Sequence, residues 1–220
     1  MPLLENKIIA IENVWLSYTD KNILEDINLD IYQGDFLLIT GPNGGGKTSL
    51  LRTILRLQSP TKGRISFFRQ GEPVSSLDMG YLPQKNSIDS RFPITVEEVV
   101  ASGLMGNTQK CNTKFDSKKE IDEMLDLMGI TALRNKPIGV LSGGQLQRSL
   151  FGRALISKPE MLILDEPASY IDRQFGNRMF EILRDLSSNG TTIMMVSHEI
   201  EPFITLSNRN LYINHILGDR

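Results

Sequence analysis

The chain has 220 residues, 40% of them hydrophobic, and a formal net charge of −2. With no basic tract, that charge gives nucleic acid no electrostatic reason to bind. Cys111, the one cysteine, cannot close an internal disulfide and fits a reducing compartment. No apolar run reaches the ~20 residues that cross a bilayer, and Met1-Pro2-Leu3-Leu4-Glu5-Asn6-Lys7 is too short and polar for a secretory signal. If the protein works at a membrane, another chain must supply the crossing. One cysteine with His198 and His215 also argues against a dedicated protein metal site.

In chain order, Ile8-Ile9-Ala10-Ile11 and Ile27-Asn28-Leu29-Asp30-Ile31 alternate as strands, with Tyr18-Thr19-Asp20-Lys21-Asn22 as a polar turn between them. Gln33-Gly34-Asp35 turns into Phe36-Leu37-Leu38-Ile39-Thr40, an apolar run short enough to be a buried strand. Gly41-Pro42-Asn43-Gly44-Gly45-Gly46-Lys47-Thr48 follows at once. Then Ser49-Leu50-Leu51-Arg52-Thr53-Ile54-Leu55-Arg56-Leu57 carries leucines at helical spacing. The order strand, glycine-rich loop, helix makes G-x-x-x-x-G-K-[ST] a phosphate loop. Glycines let the backbone curl with its N–H groups inward, and the new helix offers N–H groups and the positive end of its dipole to an anion. Lys47 adds a charge for β- and γ-phosphates, and the Thr48 hydroxyl can reach Mg²⁺. Gly45 is one glycine more than this motif needs.

Ser59-Pro60-Thr61-Lys62-Gly63 closes that helix and starts a strand from Arg64 to Phe68. Gly71-Glu72-Pro73 reads as a loop, and Met79-Gly80-Tyr81-Leu82 as a core strand ending at Pro83-Gln84. From Lys85 to about Leu141 the strand signal fades. Thr95 and Glu98 form a capping-box pattern ahead of Val96, Val99 and Val100. A second helix starts near Asp116, carries Ile121, Met124, Leu125 and Met128 as a stripe, and stops at Gly129. Cys111 falls in a polar surface loop. Another helix runs from Gly144 to about Ser157. Strand Met161 to Leu164, helix Arg173 to Ser187, strand Thr191 to Val196, a short helix after His198-Glu199 and a strand at Leu211-Tyr212-Ile213 complete the chain. Strands alternating with helices predict an α/β fold with a mostly parallel sheet. The predicted arrangement is a single domain over 1–220, with an α/β core at about 1–84 and 155–220 and an inserted helical subdomain at about 85–154.

Two further stretches carry chemistry. Met161-Leu162-Ile163-Leu164-Asp165-Glu166-Pro167 is an apolar strand ending in two carboxylates, and strand ends are where open α/β sheets bind ligands. Asp165 is placed to hold Mg²⁺ through water, and Glu166 to polarise a water for in-line attack. Leu141-Ser142-Gly143-Gly144-Gln145 combines a hydroxyl, flexible N–H groups and a helix start, which is a second anion site. Two anion sites with magnesium chemistry for one nucleotide suggest that the second serves a neighbouring chain.

With these motifs in this order, the chain resembles the ATP-binding subunits of ABC transporters over nearly its whole length. The resemblance implies a phosphate-loop NTPase core with antiparallel N-terminal strands, and ATP with Mg²⁺ as ligands. It implies ATP contacts from residues 41–49, Ser49 included, and from the signature Ser142, Gly143, Gly144 and Gln145 across a dimer. By the same resemblance Gln84 contacts Mg²⁺ or water beside the membrane partner, and His198 is the switch histidine near the γ-phosphate. Tyr18 stacks on adenine, and Asp172 speaks across the dimer. Tyr170 stands where such proteins often carry a small residue. The implied assembly is a homodimer closed by ATP and joined to membrane-spanning permease subunits. A solute-binding protein takes part indirectly, nucleic acid does not, and the place is the cytoplasmic face of the cell membrane. The stretch from Gly80 to Val100, above all Phe92-Pro93-Ile94-Thr95-Val96 with Asp89 ahead of it, is similar to zinc- and manganese-importing systems. Siderophore and haem importers are the alternative cargo group. ABC ATPases of DNA repair or translation and nucleotide kinases are the alternatives outside transport.

Overall fold

The computed structural model describes residues 6–18, 21–84, 93–105, 114–198, 201 and 203–219. Thr19-Asp20, the stretch from Lys85 to Phe92, Cys111 and Glu199 lie outside those residues. The chain forms two compact units, one of Met1–Leu77 with Ile182–Arg220 and one of Asp78–Glu181.

The first unit opens with two antiparallel strands, β1 (Lys7–Tyr18) and β2 (Lys21–Tyr32), each of 12 residues. They are longer than the alternation predicts because the pattern slips at bulges. Asn13 and Asp26 sit there at φ 49° and 47°, with register shifts between Ile11 and Val14. The bulge groups are satisfied locally, since the Asn13 N–H donates to Asn28 Oδ1 at 2.8 Å and Asn13 Nδ2 to Asp26 Oδ1 at 3.0 Å. On the other side of β1 pairs β4 (Lys62–Arg69), followed by β5 (Glu72–Val74), giving the order β2-β1-β4-β5. The residues expected as a loop at 71–73 are therefore partly strand. Gln70 and Gly71, at φ 54° and 81°, make a two-residue hairpin turn. Pro73 is tolerated because β5 is an edge, where a missing N–H is harmless.

The second sheet of this unit is built on β3 (Phe36–Thr40), whose five residues are all buried. It runs parallel to β8 (Thr192–Val196) on one side and β9 (Arg209–Asn214) on the other, and β10 (Ile216–Asp219) returns antiparallel along β9. The sequence did not mark β10. The entrance to β3 is clasped: Arg209 Nη1 donates to the Asp30 carbonyl and to Asp35 Oδ2, both at 2.7 Å. Asn208 Oδ1 accepts the Phe36 N–H at 2.9 Å. Helix α1 (Lys47–Ile54) follows β3 and buries Leu50, Leu51 and Ile54. It stops short of the predicted Leu57, since Arg56 turns to φ 56° and Leu57 is exposed. The short helix expected after His198 is, among the described residues, a turn in which the N–H groups of Leu206 and Ser207 donate to the Phe203 carbonyl at 3.0 and 3.1 Å.

The second unit pairs β6 (Met79–Leu82) in parallel with β7 (Met161–Asp165) and surrounds them with α2 (Val96–Ala101), α3 (Lys114–Leu127) and α4 (Gly143–Leu155). The predicted capping box at Thr95 and Glu98 is present. Gly129, at φ 66°, ends α3, and Ile121, Leu125 and Met128 are buried. Arg134 ties α2 to α3 by bridging Glu97 at 3.0 Å and Asp122. A β-carbon at Gly80 would stand 2.1 Å from the Ala154 carbonyl, so only glycine lets α4 lie this close to β6. The helices predicted over 85–154 all lie in this unit, together with β6 and β7. Helix α5 (Arg173–Ser188) begins in the second unit and ends in the first, with Phe175, Met179 and Leu183 buried. Among the described residues no helix is long and apolar enough to cross a membrane.

Candidate functional site

The phosphate loop lies between β3 and α1, as predicted. Gly41, Gly44 and Gly46 take φ of 144°, 78° and 100°, a region open to glycine and strained for other residues. Pro42, Asn43 and Gly44 are exposed at its tip, while Gly45, Gly46 and Lys47 are buried. Lys47 Nζ donates to the carbonyls of Gly41 and Pro42 at 2.8 and 2.9 Å. The ammonium is thus folded over the loop that it serves. Gly46 is the N-cap of α1 and brings no side chain, so the positive end of the helix dipole faces the loop. Thr48 and Ser49 stand half-buried in the first turn.

The loop rests on the reversal between β9 and β10. A β-carbon at Gly41 would lie 2.0 Å from the Ile213 carbonyl oxygen, and one at Gly45 would lie 2.8 Å from it and 3.1 Å from the Pro42 oxygen. Gly45 is therefore required for space, which corrects its reading as a surplus glycine. The Gly45 carbonyl accepts the His215 N–H at 2.9 Å, and the His215 carbonyl accepts the Glu25 N–H at 2.8 Å. Ile213 and His215 carried no motif that would have marked them, since they act through backbone atoms.

Two other predicted residues belong to the first unit. Tyr18 ends β1, is half exposed, and donates its hydroxyl to Gln58 Oε1 at 2.6 Å. His198 follows β8 and is exposed, next to the buried Ser197, whose N–H reaches the Ile39 carbonyl at 3.3 Å.

The second unit holds the remaining predicted residues. Asp165 closes β7 at 1% exposure. Glu166 follows in the left-handed region at φ 54°, unusual for a residue with a β-carbon and a place where backbone strain is stored. The Ser169 N–H donates to the Glu166 carbonyl at 3.2 Å, and its hydroxyl lies 3.4 Å from Glu166 Oε2. Gln84 is exposed two residues beyond β6. Ser142 is the N-cap of α4 in a full capping box. Its Oγ accepts the Gln145 N–H at 3.3 Å, and Gln145 Oε1 accepts the Ser142 N–H at 3.0 Å. A cleft of about 470 Å³ opens beside Ser142, Gly143 and Gly144, with Arg148, Tyr170 and Asp172 on its wall. Tyr170, at φ 68°, is 65% exposed.

Asp172 caps α5 by accepting the Phe175 N–H on Oδ1 at 2.9 Å, and it pairs with Arg148 through Oδ2. The Phe175 N–H first, then the Arg148 guanidinium, holds this carboxyl below the usual carboxylate range. Arg148 in turn lies over the Phe175 ring, 4.5 Å from its centroid. Within this chain, then, Asp172 is engaged with α4 and α5. Gln147 and Arg148 were not marked by the sequence, because one reads as an ordinary helix polar residue and the other as a surface charge.

A phosphate loop on a parallel sheet, an acidic strand end and a capped glycine turn define a nucleotide-binding protein of the phosphate-loop class. The sequence pattern of the ABC transporter family matches residues 24–169. The zinc uptake system ATP-binding protein ZurA of Listeria innocua is 37% identical, over 97% of this chain and 82% of its own length. The zinc import ATP-binding protein ZnuC of Haemophilus influenzae is 34% identical, over 96% of this chain and 73% of its own. A bacterial ABC transporter cassette solved as a dimer superposes with a TM-score of 0.84 at 25% identity, covering 96% of this chain and 98% of that one. The chain belongs to the ABC transporter family, as an ATP-binding subunit with ATPase activity.

Replacing Gly45 with Ala tests the seat of the loop. The added methyl must displace either the loop or the Ile213 carbonyl, so affinity for a fluorescent ATP analogue should fall by about tenfold, the effect of 1–3 kcal/mol of overpacking. Equal affinity in a folded Gly45→Ala protein would contradict the close approach.

Proposed function

We propose that two copies of this chain enclose two ATP molecules and drive a permease that imports a divalent metal ion, zinc or manganese. The observation that carries the two-copy reading is the pair of anion-ready helix starts in one chain. Gly46 opens α1 beside Lys47, and Ser142 opens α4 beside its own cleft without a phosphate-loop lysine. Each ATP then has its β- and γ-phosphates held by one chain's residues 41–49, with Lys47 exchanging loop carbonyls for phosphate oxygens. From the other chain it meets Ser142, Gly143, Gly144 and Gln145. Tyr18 stacks on the adenine, and Asp172 sits at the seam between copies. Closure of the pair on ATP and its opening after hydrolysis move the permease through the surface around Gln84.

The hydrolytic step belongs to Glu166, which orients and polarises the attacking water, with His198 near the γ-phosphate. Hard oxygen donors fit Mg²⁺, and the Thr48 hydroxyl, Asp165 and Gln84 are the residues that would hold it. When bound, the ion neutralises charge on the phosphates. On this reading the transported ion is bound by the partner chains. The zinc-import relatives support the cargo, as does the Phe92-Pro93-Ile94-Thr95-Val96 run. A solute-binding protein would deliver the ion to the permease, which keeps this subunit at the cytoplasmic membrane face.

Replacing Glu166 with Gln should leave ATP binding intact and lower turnover by about 10²-fold or more, because an amide cannot accept the water's proton. Gel filtration should then show an ATP-trapped dimer. Wild-type turnover with no dimer would count against the assignment. For the cargo, cells lacking this protein should lose uptake of radioactive zinc or manganese under chelator limitation. Unchanged uptake of both, with lost uptake of a siderophore or haem, would overturn the metal-ion reading alone.

A further inference from the structure

The turn from Glu166 to Asp172 is held by the first two turns of α4 in the same chain, at three points. A β-carbon at Gly144 would stand 2.9 Å from the Tyr170 carbonyl oxygen, so the two backbones are in close contact. Arg148 pairs with Asp172. Between them, Gln147 is 2% exposed, and its Nε2 donates to the Pro167 carbonyl at 3.3 Å. Among the described residues Gln147 Oε1 is buried and accepts no hydrogen bond.

Such an arrangement has a cost that a hydrophobic side chain would avoid. A buried amide with an unmet carbonyl loses its hydration without full return, whereas a methionine would fill the same space with no polar group to satisfy. What the amide gains is a grip on Pro167, the residue directly after Glu166. Glu166 itself holds a left-handed backbone, and a non-glycine residue persists there only where its surroundings over-determine it. Pro167 is buried, and its ring fixes its own φ, the rotation that follows directly on the peptide from Glu166. The Gln147 bond fixes the carbonyl on the other side of that ring.

We propose that Gln147 is a positioning residue for hydrolysis: it ties the signature helix to the Pro167 carbonyl, so that the state of Ser142-Gly143-Gly144 in one chain sets the aim of that chain's own Glu166. This inference rests on the reading of Glu166 as the group that polarises water. It makes the start of α4 a lever of little more than one helical turn, with the signature at one end and the anchor of the catalytic turn at Gln147 at the other.

The test compares the purified full-length wild-type, Gln147→Met, Glu166→Gln and doubly substituted proteins by kcat and KM for ATP, with a thermal melt to show that each is folded. Gln147→Met should lower kcat about tenfold or more through lost alignment and leave KM within about twofold, since the phosphate loop is untouched. The double variant should be no slower than Glu166→Gln alone, because the two residues act as a unit. Unchanged kcat in Gln147→Met, or a double variant slower by the full product of the two factors, would overturn the proposal. Full turnover in Glu166→Gln would overturn the reading of Glu166 and this inference together. If Gln147→Met does not fold, Gln147→Glu decides. Its buried carboxyl is protonated more readily than usual and then donates to Pro167. Its kcat relative to wild type should rise as pH is lowered from 8 to about 6, and a flat ratio would contradict the proposal.

Discussion

The seat of the phosphate loop depends on how closely the backbone of β9 approaches it. With the Ile213 oxygen 2.0 Å from where a β-carbon of Gly41 would stand, and 2.8 Å from that of Gly45, the loop has no freedom to move toward the sheet. Its inward face is a carbonyl, its outer tip is exposed, and Lys47 is drawn across it by two hydrogen bonds of 2.8 and 2.9 Å. The strand order β10-β9-β3-β8 places that carbonyl there, since β9 is the direct neighbour of β3. The clasp of Arg209 on Asp30 and Asp35 fixes the other end of the same strand. The seat of the loop in this first unit is therefore a property of a packed sheet and of glycines chosen for space as well as for φ.

The second unit follows a different logic. Here the groups of interest sit on a turn whose backbone is strained at Glu166 and Tyr170, at φ 54° and 68°. It is held by side chains: Gln147 on Pro167, Arg148 on Asp172, and Asp172 on the N–H of Phe175. A turn held in this way can change its aim when its helix shifts, which a loop seated on a sheet cannot. The division would suit the proposed mechanism, in which the loop holds phosphate and Glu166 is the hydrolytic group.

Much of this was legible in the residues, for reasons that differ along the chain. The strand-loop-helix order around Lys47 is local, so β3, the loop and α1 stood where expected. The cap at Thr95 was readable because a capping box is a four-residue pattern, whereas the same pattern at Ser142 and Gln145 was read only as an anion site and stands in the structure as a capping box. What escaped was non-local or made by backbone atoms. β5 was hidden by Pro73, which is harmless on an edge but cannot be known to lie on one from sequence alone. Gly45 looked surplus because the carbonyl that forbids its β-carbon is contributed by Ile213, far along the chain. Gln147 and Arg148 looked like ordinary helical polar residues until the turn after β7 was seen beside them. Ser142 and Lys47 were both readable as anion-binding residues, because each stands at a helix start beside glycines.

Whether each ATP is held by the loop of one copy and the signature of another is tested directly by mixing two damaged proteins. Lys47→Ala and Ser142→Arg proteins, each inactive alone, are combined in equal amounts and ATP hydrolysis is measured. A mixed dimer carries one site with both defects and one with none, so the shared-site account predicts that hydrolysis returns on mixing and depends on the ratio of the two proteins. If each ATP were served by one chain alone, every site in the mixture would remain damaged. Hydrolysis would then stay at the level of the separate variants, and that result would contradict the account.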